Sequence, residues 1–154
     1  MAANDYGIAG SPNTNVAHPQ GLSNFGYVPH IVNRGDVIPA GYIYLRVGRH
    51  TGPNKGFGVR HIWAEHEKEL VAAGYATVND VGRYIKDIIT RGAPIYCEFR
   101  SLVGKHRPTV LKSSLGIVIL EPREDEAAES GYIYTVVTAY SAGRAHGTLV
   151  GNVR

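Results

Sequence analysis

Apolar and polar residues alternate strictly through Tyr42-Ile43-Tyr44-Leu45-Arg46-Val47, with Ile43, Leu45 and Val47 on one side and Tyr42, Tyr44 and Arg46 on the other. That period of two predicts a half-buried strand. After a Gly/Pro/Asn/Lys stretch at 51–58, the period changes. Val59, Ile62, Trp63, His66, Leu70 and Ala73 recur at three- and four-residue steps, which predicts one apolar stripe on a helix closed by Gly74. A second helix is predicted by the stripe Val78, Val81, Ile85, Ile88 and Ile89, opened by Thr77 with Asp80 three residues on and closed by Gly92.

The rest reads as strands. Ile95, Cys97 and Phe99 alternate with Tyr96, Glu98 and Arg100; 109–113 is shorter; 115–121 is strongly apolar; and Tyr132 to Tyr140 alternates, with the acidic segment 121–130 before it as a solvated hairpin loop. A strand, two helices and a succession of strands predict an α+β domain over 41–154. Its two N-terminal helices would pack on one face of a mainly antiparallel sheet of about four to five strands. Residues 1–40 hold no lasting period and are rich in Asn, Gly, Pro and Ser, so they read as a flexible linker or arm, and the chain as the tail end of a longer protein.

Composition narrows the classes. With 154 residues and one cysteine, the chain forms one domain that packs without a disulfide or a cysteine-based zinc site. No apolar run approaches the roughly 20 residues needed to cross a bilayer, and residues 1–30 lack a basic stretch followed by an apolar one. This predicts a soluble domain with no export signal of its own. The net charge of +3 is unevenly spread. Residues 1–40 carry −1 (Arg34 against Asp5 and Asp36), and 121–130 carry −4 (Arg123 against Glu121, Glu124, Asp125, Glu126 and Glu129), which leaves +8 on the remainder. A basic body of that kind suits an anionic partner such as a phosphate backbone.

Strand parity adds candidate chemistry. If Ile43, Leu45, Val47, Ile95, Cys97, Phe99, Ile133 and Val137 face the helices, the opposite face gathers Tyr42, Tyr44, Arg46, Tyr96, Glu98, Arg100, Tyr132, Tyr134, Thr138 and Tyr140. Six of the ten tyrosines fall in that set, a surface able to stack bases and pair phosphates. His61 and His66, about 140° apart around a helix, do not share a face as a zinc pair would. His66 falls in the packed stripe; His61 lies on its flank beside Arg60, just after Gly56-Phe57-Gly58. Arg60 opposes the helix dipole there, a placement that favours phosphate contact over stability. His18, His30, His50, His106 and His146 read as solvated loop residues, and Cys97 as a buried thiol. The hydrolase nucleophile elbow, the P-loop and the dinucleotide-binding glycine fingerprint are all missing from the sequence.

Taken together, Lys55-Gly56-Phe57-Gly58-Val59-Arg60-His61-Ile62 with His66 downstream, the second helix ending at Gly92, and Val136-Val137-Thr138-Ala139-Tyr140 in the last long strand resemble a family. The chain is similar to toxin nuclease domains of the barnase, EndoU, colicin and RelE superfamily, in the versions at the ends of phage-associated and polymorphic toxins. The resemblance implies a ribonuclease, with tRNA one candidate substrate, that uses the RNA 2′-hydroxyl as nucleophile and needs neither metal nor cofactor. It implies His61 and His66 as acid and base, and Thr138 and Tyr140 as donors to the phosphate. Arg46, Arg107 and Lys112 are added on chemical grounds as charge stabilisers. Arg60, Tyr42, Tyr44 and Tyr134 join Arg46 as substrate contacts. If His66 packs in the stripe, it acts only where the stripe opens into a cleft. The resemblance further implies an RNA substrate, a cognate immunity protein, and delivery as the C-terminal part of a larger secreted or phage protein that acts in the target-cell cytoplasm.

Two other readings compete. An ADP-ribosyltransferase-like toxin would use Arg46, Ser113-Ser114 and Glu124 or Glu126. A non-enzymatic phage or secretion-system module would use the tyrosine face to bind a partner protein.

Overall fold

The alternation at 42–47 becomes a strand inside a wide sheet. In the computed structural model, which describes residues 6–99 and 106–154, the chain runs through β1 (Asn15–Val16), β2 (Tyr27–Val28), β3 (Ile31–Asn33), β4 (Asp36–Ile38) and β5 (Gly41–Arg46). It continues through β6 (Arg49–Gly52), β7 (Lys55–Phe57), α1 (Gly58–Ala72) and α2 (Val81–Ile88). The last strands are β8 (Pro94–Glu98), β9 (Arg107–Lys112), β10 (Gly116–Glu124), β11 (Tyr132–Tyr140) and β12 (Thr148–Asn152). The main sheet has the order β1-β5-β11-β10-β9-β8-β12, with β2 also paired to β5.

This corrects the expected architecture. Among the described residues there are twelve strands, the helices follow the seventh of them, and the main sheet has eight strands rather than four or five. The sheet is mixed, because β11 pairs with β5 in parallel, Tyr134 opposite Ile43 and Thr135 opposite Tyr44. Both helices and β8 to β10 lie in the crossover between those two neighbours, as a parallel connection requires. The expectation failed for a physical reason: strands of two to four residues at 15–57 are too short to show an alternation.

The segment read as a flexible arm is built into the domain. Val16 pairs opposite Leu45, Phe25 N–H donates to the Ile43 carbonyl at 2.8 Å, and Phe25, Val28 and Ile38 are buried in the core. Tyr27 and Arg154 exchange backbone hydrogen bonds at 3.0 and 2.9 Å, fixing the end of the chain to this layer. Three of its apolar side chains, Phe25, Val28 and Ile38, anchor it, while Leu22, Val32 and Val37 stay exposed.

Elsewhere the periodic segments form as expected. Ile43 and Leu45 of β5 meet Ile62 and Leu70 of α1 and Ile85 and Ile88 of α2, all fully buried. Burying each such side chain contributes about 1.5–3 kcal/mol. At the second helix the Thr77 N–H donates to Asp80 Oδ2 at 3.1 Å, and 78–80 form a 3-10 turn ahead of α2. Cys97 is buried, which pushes its thiol up to about 11.

In β11 the expected parity is overturned. Ile119 faces Thr138 but Leu120 faces Val136, so Val137 is an extra, bulged residue. Tyr134, Val136 and Ala139 therefore join the main core cluster, whereas Ile133 is buried outside it and Val137 is only half-buried. No helix among the described residues is long and apolar enough to cross a membrane.

Candidate active site

The site is organised by the turn between β5 and α1. Gly48, at φ 76°, lets the chain reverse; a Cβ there would overlap the Phe57 carbonyl. The β6–β7 hairpin brings the chain back, Phe57 enters α1 in extended conformation, and Arg60 N–H donates to the Val47 carbonyl at 3.0 Å. The start of α1 is thus fixed against the end of β5.

Arg60 is part of that construction. Its guanidinium donates to the carbonyls of Ile8 and Gly10, both at 2.8 Å, and of Gly48 at 3.2 Å. It ties the N-terminal segment to α1, so three of its donor contacts are spent on backbone.

His61 and His66 exchange their expected environments. His61, read as a flank residue, is only 4% exposed, whereas His66, read as part of the packed stripe, keeps 25% of its side chain accessible. His61 Nδ1 lies 3.0 Å from Nδ1 of His50, the two rings 5.2 Å apart, and its Nε2 is 3.9 Å from Glu65 Oε1. Gly56 leaves room for this contact: at φ 145° it has no side chain, and a Cβ would come within 2.8 Å of His61 Nδ1. Burial lowers the His61 pKa below 6.5, with His50 and His66 adding to the effect and Glu65 opposing it. One of the two Nδ1 atoms donates to the other, and the tautomers of the two rings decide which. Sequence reading had placed His50 in a solvated loop; the only signal for it was its position opposite Gly56 across a short hairpin.

His66 marks a kink in α1, with dihedrals of −131° and 20° that leave the helical region. Its Nδ1 meets Glu69 Oε2 at 2.7 Å, and its ring stacks on Tyr140 with centroids 5.2 Å apart. The helix lies along β11 and so brings residues far apart in sequence into contact. Thr138, two residues before Tyr140, has its hydroxyl oxygen shielded from water with no hydrogen-bond partner among the described residues. Lys112 is exposed at the end of β9, opposite Gly116, while Tyr140 flanks the other side of β10 opposite Ile117. Lys112 thus shares the Tyr140 end of the sheet. Arg107, opposite Glu98 at the far end of β9, is about 17 Å away along the strand.

The tyrosine face forms only in part. Tyr42 is 50% exposed and Tyr44 half-buried, but Tyr134 is fully buried and donates its hydroxyl to the Pro39 carbonyl at 2.6 Å. Burial raises its pKa, and it cannot contact a substrate from the core; the cause is the register of β11. Arg100 lies outside the described residues. Arg46 is half-buried, donates to Asn13 Oδ1 at 3.3 Å, and its pKa is lowered by burial and by Arg123 against the opposing Asp125. The residues of the ADP-ribosyltransferase reading are not gathered. Ser113 and Ser114 precede β10 and Glu124 ends it, a separation of about 27 Å along the strand.

Of the other histidines, His18 is buried, with Nδ1 accepting from the Gln20 N–H at 3.0 Å, whereas His30 and His146 are exposed. Among the described residues, no group of three His, Cys, Asp or Glu is arranged to hold a metal ion. Compared with family models, with curated proteins and with solved structures, the chain matches none.

Proposed function

We propose that this chain is an endoribonuclease domain of the toxin type, cleaving RNA by attack of its own 2′-hydroxyl. The observation that supports this reading best is the stacking of His66 on Tyr140, which joins a helix histidine to the strand carrying Thr138 and Tyr140 across 74 positions of sequence. Those residues are the ones the family resemblance would bring together.

The chemistry requires a base for the 2′-hydroxyl proton, an acid for the departing 5′-oxygen and donors for the charge that builds on the phosphoryl oxygens. In this reading His50 Nε2 accepts the 2′-hydroxyl proton. His61 is a positioning residue behind it, its Nδ1 3.0 Å from Nδ1 of His50. His66, oriented by Glu69, supplies the proton to the 5′-oxygen. The Tyr140 hydroxyl donates to the phosphoryl oxygens, and Lys112 adds charge at the same end of the sheet. A cyclic phosphate and a 5′-hydroxyl end are the products.

The test is digestion of total tRNA and rRNA in EDTA by the purified protein. Discrete fragments are expected, and His50→Ala and His66→Ala should each suppress them. His61→Gln should shift the acidic limb of the pH–rate profile as well as the rate, which a merely structural role would not do. Intact RNA, or cutting that none of these substitutions alters, would overturn the assignment. A secreted or phage-borne toxin of this kind would be held in check by an immunity protein; an acidic surface on it would complement the basic body of the domain.

A further inference from the structure

A second region has the attributes of a ligand site and lies apart from the histidines. A cavity of about 750 Å³ is bordered by Arg46 and Arg123 and floored by apolar groups that include Pro122 and Ile133. Arg123 is held by Nε donation to Thr135 Oγ1 at 3.3 Å, and its guanidinium lies 5.8 Å from the centre of the Phe57 ring. Arg123 lies close enough to Arg46 to disfavour the Arg46 charge, yet neither is ion-paired among the described residues. The Nε of Arg46 is shielded from water with no partner among those residues. Three carboxylates, Glu121, Glu124 and Asp125, border the same cavity, and Asp125 offsets part of the effect of Arg123 on Arg46. Two adjacent guanidiniums with unused donors are a forked receptor for one tetrahedral anion.

Next to this cavity is a slot of about 380 Å³ bordered by Tyr27, Tyr42, Tyr44 and Tyr132, which shares Asp125, Tyr132 and Ile133 with the larger space. Tyr42 is half-exposed and braced edge-on by Tyr27, with ring centres 4.8 Å apart. An aromatic slot joined to an arginine pair has the two attributes that a nucleotide needs.

We propose that the two spaces form one binding site for a nucleoside monophosphate unit, its phosphate between Arg46 and Arg123 and its base in the tyrosine slot. Glu124 and Asp125 border the phosphate end and repel further negative charge, so the site takes one phosphate and rejects a polyphosphate chain. As a unit of an RNA strand this nucleotide lies away from the bond being cut. In that respect the inference rests on the nuclease reading, but the site itself is defined by binding alone.

The experiment is NMR titration of the intact protein with AMP, adenosine, inorganic phosphate and ATP. AMP is expected to shift the Arg123 Nε–H and the Tyr42 and Tyr44 signals, with ATP weaker than AMP. Arg123→Ala should weaken AMP by about tenfold or more and leave adenosine unchanged, since charge-assisted hydrogen bonds are lost. Tyr42→Ala should weaken AMP and adenosine but not phosphate. Both side chains are exposed, and an unchanged amide spectrum verifies the fold; Arg123→Lys, which keeps the charge, should restore part of the binding. No response of these signals to AMP up to about 10 mM, affinities that neither substitution changes, or ATP binding as tightly as AMP, would overturn the proposal. AMP binding in a protein that leaves RNA intact would refute the nuclease and retain the site; RNA cleavage without an AMP response would do the reverse.

Discussion

The histidine cluster on α1 and the arginine-lined cavity are polar regions of opposite construction. In the first, nearly every polar group is engaged by another: His61 by His50 and Glu65, His66 by Glu69 and Tyr140. In the second, among the described residues, two arginines line one cavity without an ion pair and one buried donor has no partner. A locked, partly dry cluster suits proton transfer, which depends on fixed geometry and tuned pKa values. An open pair of like charges lowers stability slightly and suits the capture of an anion. The contrast separates positions expected to control rate from positions expected to control affinity.

The largest effect expected is on rate. His66→Ala should reduce RNA cleavage by about 10²- to 10⁴-fold, the usual contribution of one acid or base. An equal loss from Arg123→Ala would erase the distinction between the regions, and initial rates on a short labelled RNA would show it. Ile62→Ala, which removes the fully buried anchor next to His61, is expected to cost about 2–5 kcal/mol of stability by denaturant unfolding. A cost under about 1 kcal/mol would mean that α1 is not held by that contact.

A smaller effect concerns pH. The His61 pKa is lowered in the folded state, so the unfolded chain binds the extra proton first as pH falls. Stability from this group is full above about 6.5 and is lost as pH drops through the folded value. His18, also lowered by burial, adds a slope of the same sign. His61→Gln should therefore flatten, without abolishing, the decline in melting temperature between about pH 7 and 5. An unchanged slope would place the titration elsewhere. The smallest effect belongs to the cavity: Arg123→Ala should alter stability by no more than about 0.5 kcal/mol.

Much of this was readable in the residues, and the exceptions are physical. The stripes at 59–73 and 78–89 and the alternation at 42–47 and 95–99 gave the right elements because each repeats its period for at least two turns or two pleats. In β11 the extent was legible from Tyr132 to Tyr140, but the bulge at Val137 is not encoded in any alternation. It reversed the calculated face and moved Tyr134 from surface to core. The small strands before α1 left no period to read. At the candidate site, His66, Thr138 and Tyr140 were nameable in advance. His50 was not, since its partner is fixed by a two-strand hairpin whose register depends on Gly56. The cavity depends on Arg123, which was counted only as a charge within an acidic stretch and is turned by β10 to face Thr135.

The central claim, attack by the RNA's own 2′-hydroxyl at a site built on the α1 histidines, is tested most directly by the ends of the fragments. An RNA cut in EDTA should yield a 2′,3′-cyclic phosphate and a 5′-hydroxyl, and a single 2′-deoxy substitution at the cut position should abolish cleavage there. Fragments with 5′-phosphate ends, or equal cleavage of the deoxy-substituted strand, would contradict the account.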